Sequence, residues 1–219
     1  MSGRFITVTG TGKAISTPDL IIISLNLVSV GPEYESAMEK AANEIKTLRN
    51  AIVSAGHDGK ALKTANFDIN TEYESYQDER NNWKQKFAGY RCKHSLSLEF
   101  DFSMETLGRT LAAIASCGAS PEFHISFSVK DKGAVSARLA ENAVADAAQK
   151  AALLAKAAGV SLGNIQSINY NSRGELRPLS ETKFEYAQPK LMKSASIDIN
   201  IKPEDIENSD TVTVVWEIE

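Results

Sequence analysis

The chain has 219 residues, 42% of them hydrophobic and 24% charged, the balance of an ordinary globular protein able to bury a sizeable core. Acids outnumber bases by 28 to 24, and lysine and arginine form no cluster suited to neutralising phosphates, which excludes a nucleic-acid partner held by charge. No run approaches the roughly 18 apolar residues of a membrane-spanning helix, so no membrane span is expected.

Met1 to Gly12 runs into a strand pattern without the basic and apolar regions of a leader. Cytoplasmic residence is the expectation, with periplasmic residence the alternative if a signal peptide has been removed. Cys92 and Cys117 are too few for a disulfide framework and read as reduced thiols.

Arg4 to Thr17 reads as a strand with Thr9-Gly10-Thr11-Gly12 in its middle, and Pro18-Asp19 as a turn. Leu20 to Val30 is a second strand with Ile21, Ile23, Leu25 and Leu27 on one side, and two strands this close are expected to form a hairpin. Pro32 to Ala55 changes to helical spacing. Tyr34, Met38, Ala41, Ile45, Leu48, Ile52 and Ala55 make an apolar stripe, and Gly56 suits the C-terminal cap.

Leu62 to Tyr73 alternates, with Ala65, Phe67, Ile69, Thr71 and Tyr73 on one face. Ser75 to Phe87 is polar around Trp83 and reads as an extended hairpin tip. Gly89 to Phe102 is the clearest strand, with Tyr90, Cys92, His94, Leu96, Leu98, Phe100 and Phe102 facing one way. Ser103 caps a helix whose inner face is Met104, Leu107, Leu111, Ile114 and Ala115, and Pro121 opens a strand with Phe123, Ile125, Phe127 and Val129 inward.

Gly133 to Gly163 holds an alanine-rich helix that Gly159 terminates, with Val135, Leu139, Ala143, Ala147, Ala151, Leu154 and Ala158 as its narrow apolar face. Asp146 and Lys150 form an i,i+4 pair on it. Asn164 to Tyr170 is a strand, Asn171 to Lys193 a long loop, and strands around Ile197 and Val214 close the chain. The expected fold is α+β: two layers, mostly antiparallel sheets and three main helices. Two subdomains are expected, 1–86 and 87–219, one ferredoxin-like, with C-terminal strands completing the first sheet.

Catalytic motifs fail on context. Gly10-Thr11-Gly12-Lys13 has Thr7 where a phosphate loop needs glycine, Ala14 where it needs a hydroxyl, and Pro18 instead of a helix, so a bulge or a close strand crossing is the expectation. His94 reads as a core histidine, and His57 and His124 as solvated ones; no His or Cys spacing matches a zinc site. No catalytic residue, cofactor or metal ligand is assigned. Trp83 and Phe87 on the tip, and Phe184, Tyr186, Leu191 and Met192 in the late loop, are aromatic or apolar anchors amid polar rims, the pattern of a protein interface.

Ile6-Thr7-Val8-Thr9-Gly10-Thr11-Gly12 before Pro18-Asp19, then Gly89-Tyr90-Arg91, Ala137-Arg138, Asp146-Ala147-Ala148-Gln149-Lys150-Ala151, Ala158-Gly159 and Leu162-Gly163 together resemble the SIMPL-domain family. That family includes bacterial periplasmic immunogenic and stress-defence proteins and an animal protein that binds an interleukin-receptor-associated kinase. The resemblance implies an α+β fold of two small subdomains, ring-like or channel-like oligomers in some members, and no established catalytic residues. The expected function is therefore that of a non-enzymatic, stress-linked, self-associating protein with protein partners. The alternative is a small-molecule-binding domain or enzyme with a pocket at the subdomain junction near Arg91, His94 and Arg138.

Overall fold

The structure, a computed structural model, describes residues 3–170 and 202–219. In chain order the elements are β1 (Phe5–Ser16), β2 (Leu20–Gly31), α1 (Tyr34–Ser54), β3 (Leu62–Gln77), β4 (Trp83–Asp101), α2 (Met104–Ser116), β5 (Glu122–Ser128), α3 (Lys132–Ala158), β6 (Leu162–Asn169) and β7 (Ile206–Ile218). The described residues form two compact units, one from residues 20–127 and the other from residues 3–19, 128–170 and 203–219. This is the α+β class that the alternation of periods two and 3.6 implies. The strand expected around Ile197 lies outside the described residues.

The first unit runs β2-α1-β3-β4-α2-β5 in a sheet of order β3-β4-β2-β5, the ferredoxin-like arrangement. Period two puts Ile21, Ile23, Leu25 and Leu27 on one face of β2, and that face meets Leu48 and Ile52 of α1 and Leu107, Leu111 and Ile114 of α2. The α1 stripe is shifted from the expected one. Tyr34 is exposed, whereas Ala37 is buried beside Ala41 and Cys92, because a short side chain is needed where the helix starts against the sheet.

In the second unit β7 lies between β1 and β6, and α3 packs on one face. The hairpin expected of β1 and β2 does not form. β1 instead pairs antiparallel with β7 over its whole length, from Phe5↔Glu217 to Ser16↔Ile206, and β2 belongs to the other sheet. The register carries no shift, so the glycines of β1 mark no bulge. They mark a close approach of helix rather than strand: a Cβ on Gly10 would stand 2.5 Å from the Ala147 amide nitrogen, and one on Gly12 2.8 Å from that of Ala143. Only glycine on the strand and alanine on the helix leave room for backbone against backbone.

The buried row of α3 is Val135, Leu139, Ala143, Ala147, Ala151 and Ala155, a strict step of four along one ridge. Leu154 and Ala158, expected on that row, are exposed instead. The same helix fastens the outer edge of β1. Asn142 Nδ2 donates to the Lys13 carbonyl at 2.8 Å, the Thr11 amide donates to Asp146 Oδ2 at 2.7 Å, and Lys150 Nζ reaches the Thr9 carbonyl at 3.4 Å. Lys150 also pairs with Asp146 at 2.7 Å. Three side chains one turn apart thus satisfy backbone groups that an edge strand otherwise leaves open.

Gly12→Ala should lower stability by about 1–3 kcal/mol, because the added methyl overpacks against helix backbone. The urea midpoint measures it. Gly59→Ala, whose methyl meets only the end of Val53 at 3.3 Å, should shift stability by less than about 0.5 kcal/mol.

Candidate functional site

The polar stretch expected as a hairpin tip is mostly strand. β3 continues to Gln77 and β4 starts at Trp83, leaving a turn of residues 78–82. Asp78 Oδ1 holds that turn by accepting from the Arg80 and Asn82 amides at 2.9 and 3.0 Å. β2 pairs with β4 only as far as Gly31↔Tyr90, so residues 72–77 and 83–89 form a two-stranded arm that runs on past the end of β2. At its root the register shifts between Glu72 and Tyr73, and Gly89 takes φ +140° where it passes the Gly31 carbonyl. That conformation strains any residue but glycine.

Beyond the bulge the arm has two chemically distinct faces. One carries Tyr73, Ser75 and Gln77 opposite Phe87, Gln85 and Trp83, with no charge among them. Its rings form a row: Tyr73 meets Phe87 at 5.9 Å, Phe87 meets Tyr90 at 5.4 Å, and Tyr90 meets Tyr34 at the start of α1 at 5.8 Å, all edge to face. Trp83 is 71% exposed and Phe87 45%.

The other face is ionic. Glu72 pairs bidentately with Arg91, Glu74 lies opposite Lys86, and Lys84 meets Asp78 at 3.0 Å. The Arg91 guanidinium holds the Glu72 carboxyl below its usual range. Exposed rings thus lie on the uncharged face, and the charge pairs, with Tyr76 between them, on the other, where opposite charges across the strands support the register.

Trp83 and Phe87 therefore lie together on one face. Phe184, Tyr186, Leu191 and Met192 lie outside the described residues. Of the three residues tied to a pocket, Arg91 and His94 point to opposite faces of β4 in one unit, and Arg138 is an exposed residue of α3 in the other. His94 Nε2 lies 2.9 Å from Thr64 Oγ1 with its ring against Phe67. Among the described residues no three His, Cys, Asp or Glu side chains converge as a metal site would require, and no helix is long and apolar enough to cross a membrane.

His57 was expected in solvent but is partly buried. Its Nε2 lies 2.6 Å from Thr110 Oγ1, which also lies within hydrogen-bond distance of the Thr106 carbonyl, and its ring sits tilted against Phe100 with centroids 4.8 Å apart. The polar turn His57-Asp58-Gly59 hid this, because the partner lies on α2, 53 residues onward. Cys92 is buried with Sγ 3.9 Å from Met38 Sδ, and burial pushes its thiol pKa up, so it is an inert core residue.

The family model of SIMPL, described as a protein of unknown function (DUF541), matches residues 6–216, and the chain belongs to that family. It is 29% identical over 217 residues to the 26 kDa periplasmic immunogenic proteins of Brucella abortus (strain S19) and Brucella melitensis biotype 1, an alignment covering 97% of this chain and 84% of each relative. Among solved structures, CutA from Synechococcus elongatus aligns at 14% identity and TM-score 0.22, covering 58% of this chain and 93% of that one. The expectation of cytoplasmic residence is overturned by the two Brucella relatives, both named as periplasmic. It had rested on the lack of a leader pattern, and a leader is cut away before the mature fold forms.

Burial, then the nearby Arg109, lowers the pKa of His57; burial, then Arg49, lowers that of His94. The folded state takes up protons on both less readily than the unfolded chain. Their contribution to stability is complete above the ordinary histidine value of about 6.5 and is lost as pH falls below it. The urea midpoint should drop between pH 7.5 and pH 5.5, and His57→Gln should flatten the drop. A midpoint unchanged over that range would contradict this reading.

Proposed function

We propose that this SIMPL protein is a non-catalytic periplasmic protein that associates with its own kind through the uncharged face of the β3–β4 arm, in a role linked to stress tolerance. The observation that carries the reading is the segregation of the arm's strands beyond the bulge: Tyr73, Phe87 and Trp83 on an uncharged face, and Glu74, Lys84 and Lys86 on the other, which also carries Tyr76. A two-stranded ribbon is at best marginally stable in water, so a 16-residue β3 gains from a covering partner. Burying a large apolar side chain yields about 1.5–3 kcal/mol, and edge-to-face ring contacts keep the anchors in fixed positions before contact. Compartment and stress linkage draw on the names of the Brucella relatives and on the family resemblance respectively.

Native mass by light scattering across protein concentration tests this. Replacing both Trp83 and Phe87 with serine should move the assembly midpoint at least tenfold upward in concentration, since tenfold corresponds to about 1.4 kcal/mol. An unchanged mass distribution would remove the arm from the interface.

A further inference from the structure

The root of the arm is a joint built on two glycines. Gly89 stands opposite Glu72 and Phe87 opposite Tyr73, so Ala88 has no partner on β3 and is the extra residue of a bulge. Gly89 is buried, and a Cβ on it would stand 3.1 Å from Pro32 Cα. Gly31 lies as close to α1, since a Cβ there would stand 2.6 Å from the Ala37 amide nitrogen. Backbone thus rests on backbone from the first turn of α1, through the end of β2, to the bulge. The joint is braced on both faces of the ribbon. Tyr34, Tyr90 and Phe87 run along one face in ring contact, and the Glu72 and Arg91 pair sits on the other.

Resting on the self-association reading, we infer that this bulge fixes the direction in which the arm leaves the sheet, and that this direction lets the uncharged faces of neighbouring copies meet. A bulge bends its strand and adds twist, so the ribbon beyond Gly89 takes a course that a regular ladder would not give. The make-up of its faces does not depend on the bulge. At this point β3 has no extra residue, and Glu72 and Tyr73 alternate on it in the ordinary way. Without Ala88 the pairs Glu72↔Gly89 and Tyr73↔Phe87 would be consecutive, with Tyr73, Phe87 and Trp83 still on one face. The extra residue therefore acts on the arm's course and leaves its uncharged face as it is. Bracing on both sides serves the same end, because an arm held in one direction before contact loses less freedom on assembly than one that swings.

The test deletes Ala88. The deletion variant should keep wild-type hydrogen-exchange protection around Leu25 and Leu98, while light scattering places its assembly midpoint at least tenfold above that of the wild type in concentration. A variant with that protection and the wild-type midpoint overturns the inference and leaves self-association standing. Ala88→Ser keeps the extra residue and should assemble as the wild type does. A tenfold loss in Ala88→Ser would trace the effect to the side chain at this position and overturn the bulge as its basis. Gly89→Ala keeps the chain length but forces a side chain into φ +140° and against Pro32, so it should also raise the midpoint with the core still protected. It decides the matter where the deletion variant does not fold: a folded Gly89→Ala with the wild-type midpoint overturns the inference. A wild type that stays monomeric at every concentration overturns the self-association reading, and this inference with it.

Discussion

Two missing side chains organise one half of the molecule. At Gly10 and Gly12 the backbone of β1 lies against the backbone of α3 at Ala143 and Ala147, and any Cβ on the strand would occupy the helix's place. Because the helix sits so low, its flank reaches the outer edge of β1, where Asn142, Asp146 and Lys150 bond the backbone of Lys13, Thr11 and Thr9. That leaves the inner edge of β1 for β7, some 190 positions later in the chain, and places Val8, Val212, Val214 and Trp216 around the alanine row. The glycine pair that resembles a phosphate loop is therefore a packing device, and the lysine beside it offers its carbonyl to Asn142.

Much of this was legible in the sequence, and the failures have physical causes. Helix ends, caps and strand faces follow from local chemistry: Ser103 and Asp131 accept amide hydrogens at the starts of α2 and α3, and Gly159 closes α3 with φ +70°. Strand partners do not follow, because nothing local distinguishes a β1 that pairs with β2 from one that pairs with β7. The arm was hidden by its chemistry and by its bulge. Ser75, Gln77 and Gln85 are too polar to read as a strand face, and the register shift beside Gly89 puts Phe87 and Tyr90 on one side although an odd number of positions separates them. Trp83 and Phe87 stood out as aromatics in a polar setting, but Tyr73 and Tyr34 join their row only in three dimensions. His57 is a similar case, its role set by a threonine on a helix distant in sequence.

The ferredoxin-like unit holds an apolar core and sends one hairpin beyond it. Membership of a family whose function is unknown assigns no chemistry. On that hairpin the five cross-strand pairs beyond the bulge put Tyr73, Phe87 and Trp83 on an uncharged face and Glu74, Lys84 and Lys86, with Tyr76 among them, on the other. Exposed charge pairs contribute little stability, about 0.2–1 kcal/mol each, so in the proposed assembly they would act on register, and the rings would supply the affinity.

The most direct measurement of that claim is amide hydrogen exchange along residues 72–89 at low and high protein concentration. Protection of the arm that rises with concentration, while the ferredoxin-like core around Leu25 and Leu98 stays unchanged, is what this account predicts. Exchange along the arm that is independent of concentration, up to values where the protein is assembled, would contradict it.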